Sequence, residues 1–214
     1  MMAGRTSTNR RYALLLPLLL LYWIEISGGE GRVGWLVLPS DGSSFLSRPW
    51  SILTYGFVHT YWRHLAINVG MLLMLLLFSR GCGISNRTVA GLFLCGIISG
   101  GLLFLLIGDG VLVGASAGIA ALIPLVLYKS IRQRRVWLLY AMLFALSFDF
   151  ITQRRLGQVT QGVHLVGYLV GILWVIFTER NRRMVVAPDK ELLAEKAKVS
   201  GYHSLTKEER EQLK

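Results

Sequence analysis

Residues 114–128 read GASAGIAALIPLVLY, a serine set among small residues and followed by an apolar run that stops at Lys129. Glycine at 114 and 118 permits a tight turn and a close backbone approach. Val111 to Gly114 reads as a loop and Ala117 as the opening of a helix, which puts Ser116 at a helix N-terminus. Free N–H groups there favour developing negative charge. The run falls short of the about 20 residues that the core of a bilayer demands. Such a helix has to begin below the membrane surface, inside a protein-lined cavity, because lipid cannot satisfy its free backbone groups. The same pentapeptide has the spacing of the nucleophile elbow of soluble hydrolases. That turn needs a preceding strand, a parallel sheet and an acidic partner, and nothing nearby reads as such a sheet.

Working outward, the chain has 214 residues, 53% of them apolar and only 16% charged. Its mean hydropathy is +0.51, too high for a soluble domain of one-domain size. Apolar blocks at 12–26, 62–78, 89–107, 136–148 and 163–177 join the one at 116–128. The sequence therefore predicts an all-α membrane protein: a membrane domain over 1–184, with six transmembrane helices, some of them short, around a water-accessible site. A basic cytoplasmic tail follows over 185–214. In that tail Asp189 and the Thr206-x-x-Glu209 box read as helix caps.

Net charge is +11, but the basic residues sit at the edges of the apolar blocks. They set topology and touch anionic lipid head groups; no nucleic acid is expected as a partner. Arg10 and Arg11, Arg80 and Arg87, Lys129 to Arg135, and Arg180 to Arg183 all fall on one side if the chain crosses six times. The positive-inside rule puts that side, with both termini, in the cytoplasm. Arg10 and Arg11 before a leucine-rich run resemble a signal peptide. Tyr22, Trp23 and Ile24 extend the run where a cleavage site is due, so it reads as a retained first helix. The long outer loop from Ser27 to Tyr61 carries Gly34 to Leu38 and Trp50, which suit the interfacial layer. Cys82 and Cys95 show neither metal spacing nor a disulfide framework, and no metal or cofactor is expected.

Polar side chains within membrane segments are costly, and each is a functional candidate. His64 and Asn68 lie four apart, on one helix face. By themselves they could equally be an interhelical packing pair. Ser116 could equally be an N-cap in a small-residue face. His164 opens the sixth segment and shares a face with Gly167 and Gly171, a small-residue contact surface. If that surface meets the fourth segment, His164 meets Ser116.

The ordered set is more specific than its members. His64-x-x-x-Asn68, Gly114-x-Ser116 and His164-x-x-Gly167-x-x-x-Gly171, on the second, fourth and sixth segments, resemble the rhomboid family of intramembrane serine proteases. Pro49 to Thr54, then Phe57-Val58-His59, resemble that family's approach to its second helix, so the likeness runs from about Trp50 to Gly171. It implies a six-helix rhomboid-like bundle with Ser116 as nucleophile and His164 as general base. His64 and Asn68 would stabilise the oxyanion with the Ser116 backbone N–H. His59, near the top of the second helix, and Gly114, Gly167 and Gly171 would give structural support. Two positions depart from the family's pattern. Ala117 stands where many members have glycine, which bears on the oxyanion geometry. Ala120 stands where they often have a tyrosine, a ring that would restrain the histidine.

The chemistry so implied is peptide hydrolysis by a Ser/His dyad, since Asp109 and Asp149 fall in outer loops and no third acid is evident. The expected partners are transmembrane protein substrates, cut near the outer face after a small residue, and membrane lipids. The membrane is expected to be a bacterial inner one. The alternative is a proteolytically inactive relative that binds transmembrane helices as a chaperone or adaptor. A small transporter using His64 and His164 would call for broken helices or repeats, and none is found.

Overall fold

The computed structural model describes residues 9–28, 31–153, 157–186, 190–206, 210 and 213. Asp189 and the Lys207–Glu209 part of the tail's capping box lie outside them. The described helices are α1 (Leu15–Gly28), α2 (Gly42–Ser47), α3 (Ser51–Thr54), α4 (Trp62–Gly81), α5 (Asn86–Ile107), α6 (Ser116–Arg132), α7 (Val136–Gln153), α8 (Gln158–Val186) and α9 (Lys190–Ser200). Two short strands, β1 (Leu38–Pro39) and β2 (Val111–Leu112), pair antiparallel. Among the described residues, three helices are long and apolar enough to cross a bilayer: Trp62–Gly81, Asn86–Ile107 and Gln158–Arg180.

The chain divides into two compact units, Met1–Val175 and Ile176–Lys214. In the first, α6 lies at the centre and packs on α4, α5 and α7. Every residue from Ala117 to Ile123 is buried, against a core that includes Leu72, Leu76, Phe93 and Ile97. A helix apolar all round belongs inside a protein, and this one is. It runs on past its apolar stretch to Arg132, with Lys129 and Arg132 in the last turn, where cations suit the carbonyl end. Its 17 residues rise by about 26 Å, still short of the hydrocarbon core.

Local chemistry sets several boundaries. The Ser85 hydroxyl accepts from Thr88 N at 3.1 Å and caps α5. Asp41 accepts from Ser44 N at 2.7 Å and caps α2; that bond and the Ser43 hydroxyl hold its carboxyl below the usual range. Ahead of α1, the buried Arg11 donates to Ser79 Oγ at 3.2 Å and to Ile84 O at 3.3 Å, hooking the chain onto the turn between α4 and α5. Hydrogen bonds from a charged donor are worth about 1.5–3 kcal/mol each.

The loop after α1 is pinned by its polar groups. Glu25 accepts from Gly31 N and Val33 N, and Arg48 donates to Gly34 O. Trp50 Nε1 donates to Trp35 O, and Thr54 Oγ1 to Leu36 O. Trp35, Leu46, Trp50, Tyr61 and Trp62 stay exposed. β1 bonds this loop to β2, just ahead of Ser116.

In the second unit, Leu193 on α9 and Leu205 are buried. Arg210 donates to Leu205 O and His203 O and lies 5.7 Å over the Tyr202 ring.

Candidate active site

Ser116 is the first residue of α6 and is half-buried. Gly114, two residues before it, has φ of +110°, a conformation that side-chain-bearing residues rarely take. It is also crowded: a Cβ there would come within 2.5 Å of His64 Cε1. The turn ahead of the serine is therefore built against the His64 ring, and only glycine serves both needs.

α8 approaches α6 through glycine. A Cβ on Gly167 would collide with Ala117 O, and one on Gly171 with Ala121 O. Numbers rise together along the two helices, so α6 and α8 run parallel with residues 117 and 121 level with 167 and 171. One turn before Gly167 stands His164, buried, on the same seam. Its neighbour Val163 comes within 3.0 Å of a Cβ on Gly100, and the Ala117 methyl within 2.8 Å. The side chain after Ser116 and the side chain before His164 thus meet at one notch in α5. His64 and His164 are close enough to interact electrostatically.

Asn68 is buried on α4 and donates from Nδ2 twice, to His59 Nε2 and to His64 O, each at 3.1 Å. A carbonyl cannot donate, so the second bond fixes which end of the amide points there. His59 Nε2 is then an acceptor and the ring is neutral. Burial, with His64 beside it, holds the His59 imidazole far below its ordinary range, at about 3. The His59 and His64 rings stand edge-on, with centroids 4.9 Å apart.

His59 does not belong to the second helix. It sits in the linker after Phe57, ahead of α4, which begins at Trp62. Its ring is nonetheless wholly buried. Ala120 packs toward Gly167, whose Cβ would meet the Ala120 methyl at 2.9 Å.

Three features escaped the sequence reading. One is the β1–β2 pair. The second is the α5 glycine face, where Gly96 lies against Ala117 O and Gly118 of α6 against Phe93 O. The third is Tyr55, buried in the turn Tyr55–Phe57. The Gly96-x-x-x-Gly100 spacing was a signal for the second of these. Among the described residues, no group of three or more His, Cys, Asp or Glu could hold a metal ion.

A family model described as the Rhomboid domain matches residues 46–181, more than half of the chain. No curated protein matches.

Proposed function

We propose that this chain, which belongs to the rhomboid family, is an intramembrane serine endopeptidase with a Ser116/His164 dyad. The observation that carries this reading is the parallel α6–α8 seam, which places His164 one turn from the level of Ala117.

His164 takes the proton from the Ser116 hydroxyl, which attacks the scissile carbonyl. The acyl-enzyme forms as His164 returns the proton to the leaving amine, and water, activated by His164, releases the second product. The backbone N–H of Ser116, at the helix N-terminus, and the His64 ring hold the oxyanion, each donor worth about 3–4 kcal/mol. Asn68 has its amide committed to His59 and to the His64 carbonyl, so it donates to the oxyanion only after giving up one of these bonds. Until then it holds the His59 ring, against which the His64 ring stands edge-on. His59 and the glycines at 114, 167 and 171 support the geometry.

The helices α1 and α4 to α8 make six crossings around a site open to water from the outer side. Both termini lie in the cytoplasm of a bacterial inner membrane, where the basic loops between the helices contact anionic lipid. The substrate is a transmembrane protein whose helix end unwinds into the site, and the cut falls near the outer face after a small residue.

Purified full-length protein, given a transmembrane reporter and a fluorophosphonate probe, tests this. Ser116→Ala abolishes labelling and cleavage, and His164→Ala slows both by about 10²–10⁴-fold. Wild-type protein that neither labels nor cleaves overturns the reading in favour of an inactive helix-binding relative.

A further inference from the structure

We propose that Tyr55 is a positioning residue that fixes the height of Ser116 against His164. It touches no reacting atom and acts through the Gly114 turn and the Gly100 notch. The catalytic part of this role rests on Ser116 being the nucleophile.

Tyr55 is 1% exposed. Its phenol donates to Ile97 O of α5 at 2.6 Å, across 42 residues of chain. Its own carbonyl accepts from Gly114 N at 3.0 Å. One residue thus holds the middle of α5 with its side chain and the turn ahead of Ser116 with its backbone. The ring is seated because α5 carries no side chain there: a Cβ on Gly101 would come within 3.0 Å of Tyr55 Cε1, and one on Gly100 within 3.2 Å of its hydroxyl.

Gly100 is the point where this hold reaches the dyad. The same notch receives the Ala117 methyl and Val163 Cγ1. Ala117 follows Ser116, and Val163 precedes His164. The glycine missing after the serine is thereby compensated: the methyl at 117 is accommodated by its absence at 100. With the hydroxyl gone, the ring remains buried, but nothing sets its depth against Ile97. The Gly114 turn, bonded to the same residue, drifts with it. Misplacements of about 1 Å at reacting atoms cost up to about 10²-fold in rate.

The test uses full-length protein and reads fluorophosphonate labelling, reporter cleavage, thermal midpoint and hydrogen exchange over residues 111–120. For Tyr55→Phe, kcat and labelling rate fall about tenfold. KM and the midpoint stay near wild type, and exchange over 111–120 quickens. Gly100→Ala loses activity, and adding Ala117→Gly recovers most of it. A Tyr55→Phe protein with wild-type kcat and exchange overturns the proposal. If Tyr55→Phe does not fold, the glycine pair decides, and a double variant as inactive as Gly100→Ala overturns it. If wild-type protein does not label, the peptidase reading fails on its own; exchange then decides whether Tyr55 holds the turn, unchanged exchange refuting it.

Discussion

The two helices proposed to carry the dyad are held in opposite ways. α6 is buried on every side from Ala117 to Ile123, clamped by glycine contacts from α5 and α8. α8 buries a narrow stripe of Val163, His164, Gly167 and Gly171, while Leu165, Leu169, Ile172 and Leu173 face outward. A helix held all round has nowhere to move, and one held along a single seam can shift away from it. Ser116 is therefore positioned by the whole bundle, and His164 by a few glycines.

This difference can be broken at either helix. The largest loss of folded protein is expected at the α5–α6 side. A Cβ at Gly118 lies 2.7 Å from Phe93 O, which is backbone and cannot swing aside. Gly118→Val should cost about 3 kcal/mol or more, since overpacking a tight core typically costs about 1–3 kcal/mol and occasionally more. The thermal midpoint in detergent reads this directly.

Gly167→Val should separate function from fold. Its Cβ meets Ala117 O, but α8 can yield toward its exposed face. Peptidase activity is expected to fall about 100-fold, with a smaller drop in midpoint than for Gly118→Val. Equal drops in midpoint for the two variants would end the distinction between them.

Near neutral pH the smallest effect is that of acid. The buried residues of α6 include no titratable group. His59 binds its proton only at about pH 3 in the folded chain, against an ordinary value of 6.5. Between those values the unfolded chain takes up a proton that the folded one refuses, so stability falls as pH drops from 6.5 toward 3. The midpoint should decline over that window, and His59→Gln should flatten the decline. A slope unchanged in His59→Gln would assign it elsewhere.

Much of the candidate site was legible because a membrane makes polar residues conspicuous. His64, Asn68, Ser116 and His164 stand out against apolar neighbours, and helical spacing alone puts Gly167 and Gly171 beneath His164. What stayed hidden lies where periodicity says nothing. Tyr55 is one aromatic in a loop, and its partner Ile97 is a backbone carbonyl, which sequence never distinguishes. Strands of two residues carry no alternation to read. The resemblance put His59 near the top of the second helix; the chain is extended at Val58 and again at Tyr61, and α4 starts only after that.

The β1–β2 ladder has a mechanical consequence. Leu38–Pro39 is bonded to Val111–Leu112, and Ser40 N to Gly110 O. The long loop that displays Trp35 and Trp50 is thus joined by backbone hydrogen bonds to the run-up to Ser116. A pull on those indoles from their surroundings is delivered within a few residues of the hydroxyl, through a lever whose short arm ends at Gly114.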